Sequence, residues 1–327
     1  MNFPLISIIT INYNGLDDTC AMLKSLEALT YPNFEIIVVD NGSTHDPSEI
    51  ISSQFPEVTM VRSEKNLGFT GGNNLGIKLA NGNYYFLLNN DTIIYSTDLL
   101  EELITPLLEK KEVGMSSPKI RYHDHPDIIQ FAGYEKINPV TGRNKQIGDR
   151  EIDKGQYDSP CYTHYAMGAA LMVKREVIDQ IGLMHDLFFL CYEELDWSSQ
   201  AVKSGFKIFF QPKAIIYHKE SMSLGKVSAV KTYYNTRNRI LFMRRNSSVI
   251  ERFLFYCYFT LFTIPKNTAS FLLKGQFQYL RAFFRGIWWN LSHTNLYSRH
   301  DFRFRLKDVR VPDGLQVYSP KENTKTV

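Results

Sequence analysis

Cysteine is scarce in this chain: Cys20, Cys161, Cys191 and Cys257 are the only four in 327 residues. They stand far apart, with none of the paired spacings of a zinc site or a disulfide framework, and read as free thiols in a reducing compartment. An apolar run long enough to span a membrane is also missing. The stretch "FLFYCYFTLFTIP" at 253–265 has thirteen uncharged residues, short of the ~20 a spanning helix needs, and Pro265, Lys266 and Asn267 interrupt it. The opening "MNFPLISIITINYNG" lacks a basic n-region and a small-residue cleavage site, so no secretion signal is expected and a cytoplasmic location is. No internal repeat or low-complexity stretch stands out. Charged residues at 22% and hydrophobic ones at 44% exclude wholesale disorder.

Charge is present but unevenly spread. Residues 1–236 hold 21 Lys and Arg against 29 Asp and Glu, residues 237–310 hold 14 against 3, and the last 17 balance. The expected organisation is an acidic body over 1–236, a basic helical extension over 237–310 and a polar tail over 311–327.

The body alternates buried strands with helical segments. "LISIITINYN" is rich in β-branched residues and leads into "GLDDTCAMLKSLEAL", whose Leu16, Met22, Leu23, Leu26 and Leu29 recur at roughly helical spacing. "FEIIVVDNGSTHD" repeats the design, "VTMVRSEKN" leads into the Gly-rich "NLGFTGGNNLGIKLA", and "YYFLLNNDTII" comes fourth. Such alternation predicts a mostly parallel, doubly wound α/β sheet with helices on both faces. A helix is expected over 99–111, a loop or small hairpin over 120–160, a strand and helix in "GAALMVKREVIDQIG", a helix after "CYEELDW", and a strand pair in "FKIFFQPKAIIYH".

In such a sheet ligands bind at the carboxyl ends of the strands, and there this chain places polar tips. Tyr13 ends the first strand and can stack on a nucleobase. Asp40 ends the second and can accept from a base N–H. Gly68, Gly71 and Gly72 allow close backbone approach, with Asn66, Asn73 and Asn74 supplying amides. Asn89, Asn90 and Asp91 end the fourth strand. A carboxylate at a buried strand end must be solvated or matched by a cation; the tripeptide is either an ordinary turn or a site for magnesium or manganese bridging the phosphates of a nucleotide. Four such tips on one edge favour a nucleotide pocket.

The set "SIITINYNG", "IIVVDNGSTHD", "NLGFTGGNNLGI", "FLLNNDTII", "GAALMVKREVIDQIG" and "CYEELDW" resembles the family 2 inverting glycosyltransferases of the GT-A fold, particularly their rhamnosyltransferase-like branch, over roughly residues 4–245. The resemblance implies a nucleotide-sugar donor, Mg2+ or Mn2+, and transfer with inversion to an acceptor hydroxyl. It puts Asn12, Tyr13, Asp40, Asn41, Gly68, Phe69, Asn73, Asn74, Asn90 and Asp91 around the donor. Asn89-Asn90-Asp91 takes the place of the family's Asp-x-Asp motif, with Asn at its first two positions. Asp91 and His218 become metal ligands and Glu194 the catalytic base, with Glu193, Asp196 and Trp197 beside it in acceptor-binding or structural roles. Base and metal must then lie on opposite sides of the reacting sugar.

No motif reads the sugar. Rhamnose from dTDP-rhamnose is the first expectation, a UDP-hexose or UDP-N-acetylhexosamine the alternative. A sugar nucleotidyltransferase would need a basic Gly-rich phosphate loop near the N-terminus, which "ITINYNGLDD" lacks. A non-catalytic nucleotide-sugar-binding module fits the weakened Asn-Asn-Asp motif but not the retention of Asp91, Glu194 and His218. Segment 253–265 is flanked by Arg237, Arg239, Arg244, Arg245 and Arg252 on one side and by Lys274, Arg281, Arg285 and Trp288-Trp289 on the other. This pattern suggests an interfacial anchor on an anionic membrane, peripheral on the inner face of the plasma membrane, with a lipid-linked glycan as acceptor. The alternative is a helical cap packed on the catalytic body and forming a homodimer through these helices. No nucleic-acid-binding motif accompanies the arginines, so no nucleic-acid partner is expected.

Overall fold

The computed structural model describes residues 3–220, 228–294 and 316–318. The chain runs β1 (Ile6–Asn12), α1 (Leu16–Leu26), β2 (Phe34–Asn41), α2 (Ser48–Gln54), β3 (Thr59–Ser63), α3 (Gly68–Leu79), β4 (Tyr84–Leu88), β5 (Thr92–Ile93) and α4 (Leu99–Glu109). It continues with β6 (Val113–Tyr122), β7 (Ile129–Phe131), β8 (Cys161–Thr163), β9 (Ala170–Lys174), α5 (Arg175–Ile181), α6 (Glu193–Lys203) and β10 (Lys207–His218). Four helices follow, α7 (Ala229–Asn246), α8 (Val249–Tyr258), α9 (Ile264–Leu273) and α10 (Phe277–Ser292), with a π-helical turn at Phe259–Thr263 between α8 and α9, and then a short β11 (Gln316–Tyr318).

The strands form one sheet in the order β11-β3-β2-β1-β4-β9-β6-β10-β5. Its N-terminal half, β3-β2-β1-β4, is parallel as the alternation predicts. Beyond β4 the sheet is mixed, because β9 enters antiparallel between β4 and β6. The period-2 alternation of apolar side chains feeds two cores. Ile6, Ile8 and Val38 face α1, α2 and α4, whereas Ile9, Val39 and Leu87 face α3, α5 and α6. Burial on both faces explains why these strands read as continuous apolar runs.

Three expectations change. "FKIFFQPKAIIYH" is one strand, β10, not a pair; its register against β6 shifts between Gln211 and Ile215, where Pro212 has no N–H to give the ladder. The hairpin expected over 120–160 is present but starts earlier, inside β6, with β7 antiparallel to it and further antiparallel bridges from Tyr134 to Gln146 and Asn138 to Arg143. A boundary at 236/237 falls within α7, where Thr236 to Met243 are all buried; Ile240 to Met243 join the same core as the sheet. Residues 295–310, and all of the tail except 316–318, lie outside the described residues.

Candidate active site

The parallel register sets Asn12 beside Asp40 at the carboxyl ends of β1 and β2. Asn12 donates to Asp40 Oδ1 at 2.9 Å and to Ser43 Oγ at 3.2 Å, and its own oxygen accepts from Gly15 N–H and Thr19 Oγ1. Asp40 is fully buried and also accepts from the Ser43 hydroxyl at 2.5 Å and the Ser43 N–H at 3.3 Å, with Arg62 3.7 Å away. Asn12 and Asp40 thereby fix the β1 and β2 tips. What that network presents is Tyr13, 42% exposed, on a turn held by Asn14 N–H to Ser43 Oγ at 2.9 Å.

The asparagines around the Gly-rich segment do similar work. Asn41 accepts from Leu67 N–H and donates to Gly68 O and Asn66 Oδ1, which holds the turn into α3. Asn74 donates to Met184 O and Asp186 and accepts from Met184 N–H, so it ties α3 to the 184–186 loop. Asn73 donates to Phe69 O. Gly68 has φ +74°, and a Cβ there would lie 2.4 Å from Phe189 O, so only glycine fits. A Cβ on Gly72 would meet Ile11 and Asn41; the residue lets α3 approach the sheet.

At the β4 tip, Asn90 donates to Gly15 O and Thr19 Oγ1, and Asn89 N–H donates to Ala169 O at 2.9 Å. Asp91 and His218 meet, with Nε2 3.0 Å from Oδ1. Burial alone would raise the Asp91 pKa; the hydrogen bond and charge of His218, its own backbone N–H and Lys219 together hold it below the ordinary carboxylate value. Gln130 Oε1, on β7, lies 2.8 Å from His218 Nδ1. That contact orients the ring with Nε2 towards Asp91. A carboxylate oxygen and an imidazole nitrogen facing one point suit Mg2+ or, with nitrogen in the set, Mn2+. Among the described residues no cluster of three His, Cys, Asp or Glu could hold an ion alone, so an ion there would take its remaining ligands from a bound diphosphate and water.

Glu193 and Glu194 open α6, where the helix dipole favours carboxylates. The loop before them is wound tightly: Phe189, Cys191 and Tyr192 all have positive φ, at 60°, 70° and 72°. Burial pushes the Glu194 pKa up to about 7, although its own N–H and that of Leu195 act against the shift. Burial and then the neighbouring Glu194 push Glu193 well above its usual value, and Glu193 Oε2 is buried with no hydrogen-bond partner. The Glu194 carboxyl and the Phe69 ring both lie within 4 Å of the point where a Gly168 Cβ would stand. Because Ala169 O accepts from Asn89 N–H, the surroundings of Glu194 adjoin the β4 tip.

Asp196 and Trp197 both make hydrogen bonds within the protein. Asp196 receives a bidentate pair from Arg245, at 2.9 and 3.1 Å, and a 2.6 Å bond from Asn246. Trp197 is buried and donates to Gly182 O. Gln130 and Asn238 escaped the sequence reading, which took Arg237 only as a basic flank and Ser43 only as part of a polar tip. Gln130 sits in a three-residue strand that no periodicity marks.

A family model described as Glycosyl transferase family 2 matches residues 7–182. Among curated proteins, the low-salt glycan biosynthesis hexosyltransferase Agl10 of Haloferax volcanii is 25% identical over 275 residues, 83% of this chain and 82% of that protein. The amylovoran biosynthesis glycosyltransferase AmsB of Erwinia amylovora is 28% identical over 206 residues, 62% and 65% of the two lengths. An uncharacterised protein, y4gI of Sinorhizobium fredii, is 27% identical over 251 residues, or 74% of this chain, yet the match spans only 27% of its length. Among solved structures, the mannosyltransferase PcManGT of Pyrobaculum calidifontis, in complex with GDP-Man and Mn2+, superposes with a TM-score of 0.56 at 14% identity, covering 91% of this chain and 77% of that one.

Proposed function

The chain belongs to glycosyl transferase family 2, and from that premise we propose that it transfers one sugar, with inversion, from a nucleotide-sugar donor to a lipid-linked saccharide in the assembly of a cell-surface glycan. The observation that supports the reading is Glu194, its pKa pushed up to about 7 by burial, packed by Gly168, whose neighbour Ala169 accepts from Asn89 two residues before the Asp91 that meets His218. In the reaction Glu194 takes the proton of the acceptor hydroxyl as its oxygen bonds to the anomeric carbon; the bond from that carbon to the diphosphate breaks and the nucleoside diphosphate leaves. A base whose pKa lies near the working pH is both free to accept a proton and strong enough to do so. Asp91 and His218 would hold the divalent ion, which supplies charge neutralisation on the departing diphosphate. Tyr13 offers its exposed ring to the nucleobase. Glycan biosynthesis in the names of Agl10 and AmsB supports the substrate class. Rhamnose from dTDP-rhamnose remains the first choice of donor, UDP-hexoses and UDP-N-acetylhexosamines the second.

The test is calorimetric binding of dTDP-rhamnose, UDP-glucose, UDP-galactose, UDP-N-acetylglucosamine and GDP-mannose, with and without Mn2+, to the native protein and to Asp91→Ala. One binder that needs Mn2+ and is lost in the variant is the expected result. Equal binding by the variant would return the β4 tip to an ordinary turn.

The reading includes peripheral attachment to an anionic membrane on the cytoplasmic face. Among the described residues no helix is long and apolar enough to cross a membrane. The C-terminal helices nevertheless expose large apolar side chains, with Phe253 65%, Leu273 89% and Trp288 69% accessible. On α10 the exposed stripe is Phe277, Arg281, Phe284, Arg285, Trp288 and Leu291, an interleaving of aromatic and basic residues suited to a lipid interface. Residues 252–294 contain five Lys and Arg and no acid, which favours anionic lipid over a second copy of the same basic surface. Sedimentation with phosphatidylglycerol-containing vesicles, but not with pure phosphatidylcholine, is expected; a concentration-dependent dimer without vesicle binding would favour the homodimer.

A further inference from the structure

Two residues of α7 reach the loop that carries the base. Asn238 is fully buried, and its side-chain amide faces three backbone carbonyls: Phe188 O at 2.8 Å, Leu190 O at 2.7 Å and Cys191 O at 2.7 Å. Arg237 Nη2 donates to Phe188 O at 2.8 Å and to Leu187 O, while its Nε donates to Asn238 Oδ1 at 2.8 Å. The Arg237 guanidinium lies over the rings of Tyr234 and Trp289, 4.7 Å from each centroid, and Asn290 of α10 donates to the Arg237 carbonyl at 2.9 Å. The pair is therefore itself held from two sides.

The loop needs such a mount. Three non-glycine residues between 189 and 192 have positive φ, a conformation that persists only where surrounding structure over-determines it. Carbonyls pulled inward by the turn need donors, and the two N–H groups of Asn238 are shared among three of them, with Arg237 and the Leu190 N–H also serving Phe188 O. Tyr192 is the residue from which α6 starts, and its hydroxyl donates to Gly142 O. On the opposite side Phe189 O accepts from Thr70 N–H at 3.3 Å, and Phe189 packs against Gly68. The loop is thus gripped between α7 and the start of α3, and Glu194 lies two residues beyond its end.

We propose that Asn238, braced by Arg237, is a positioning residue for transfer: it fixes the 187–192 loop and thereby the place and the dry surroundings of Glu194. The inference rests on the reading of Glu194 as base. It goes beyond that reading by making α7, outside the matched family segment, part of the catalytic apparatus.

The assay is cleavage of the five nucleotide sugars named above with water as acceptor, read as nucleoside diphosphate release with Mn2+ present and followed from pH 5 to 9. Asn238→Ala should lower kcat on the order of 100-fold, the scale of an ångström misplacement, and leave donor KM within about threefold. Water admitted to Glu194 should also move the acidic limb of its pH profile to lower pH, because relief from burial lowers a carboxyl pKa. Asn238→Ser keeps one hydroxyl donor and should recover part of kcat; it carries the measurement if the alanine variant does not fold. A folded variant with native kcat, or one whose kcat falls with an unmoved limb and an equal loss in KM, would overturn the assignment and leave Asn238 as scaffold. Glu194→Gln runs in parallel: if it cleaves at the native rate, or if the native protein cleaves none of the five donors, the underlying reading fails first and takes the inference with it.

Discussion

Replacing Glu194 with glutamine should abolish transfer and make the fold more stable at alkaline pH. The side chain is held where its charged form is disfavoured, and its pKa is raised from 4.5 to about 7. The native state therefore binds the proton more tightly than the unfolded chain does. Below pH 4.5 both states are protonated and the group imposes no penalty. As pH rises through the interval the unfolded chain releases its proton first, stability falls, and above about pH 7 the loss is complete. A shift of this size amounts to roughly 3 kcal/mol, shared with Glu193 because each carboxylate raises the cost of ionising the other. Glutamine fills the same space, can still accept from the α6 N–H groups and carries no charge. Urea unfolding of both proteins at pH 5 and pH 8.5 should show the variant gaining on the native protein by up to roughly 3 kcal/mol between the two, while transfer at pH 8 falls by about 100-fold or more. A stability difference independent of pH would mean that Glu194 is solvated in the native state, and the case for its pKa, and for its suitability as base, would collapse.

Other consequences can be checked separately. Gln130→Ala frees His218 to rotate and should weaken Mn2+ binding in the presence of nucleotide sugar by about 10-fold to 100-fold, the usual effect of losing a hydrogen-bond partner behind a ligand; an unchanged Mn2+ titration by electron paramagnetic resonance would remove Gln130 from the site. Gly68→Ala puts a Cβ against Phe189 at a positive φ and should cost about 2 kcal/mol or more in urea unfolding, whereas a loss below about 0.5 kcal/mol would show that the turn into α3 relaxes without penalty. Lys274→Gln combined with Arg281→Gln should weaken binding to anionic vesicles by about 2 kcal/mol, or about 30-fold, and leave the melting temperature unchanged; equal binding would point away from lipid.

Much of the parallel half of the sheet was legible because its strands are buried on both faces and its tips are polar, two signals that local sequence carries directly. Asp91, His218 and Glu194 were legible as carboxylate and imidazole groups in a family-like order. The division of labour among the amides was not. Asn12, Asn41 and Asn74 look alike in sequence to residues that bind a ligand, and only the three-dimensional partners show their polar atoms satisfied by the protein. Gln130 was invisible for a different reason: its use depends on β7 pairing with β6 beside β10, a long-range arrangement that a three-residue strand does not announce.

The arginines of the extension make the same point about charge. Counted along the chain, Arg237, Arg239, Arg244 and Arg245 belong to a basic tail facing a membrane. In the fold they point inward: Arg239 binds Thr141 O, Arg244 binds Asn290 O at 3.0 Å and Arg245 pairs with Asp196. A guanidinium beside carbonyls or a carboxylate keeps its charge while buried because its five N–H groups are directed at acceptors. Charge that serves the catalytic body is therefore concentrated in α7, and the aromatic and basic stripe left for an external surface is concentrated in α8 to α10. Since α10 backs Arg237 through Trp289 and Asn290, the element that meets the proposed membrane and the element that mounts the proposed base are in direct contact, so substitutions at Trp289 should alter vesicle-dependent turnover as well as the pH profile.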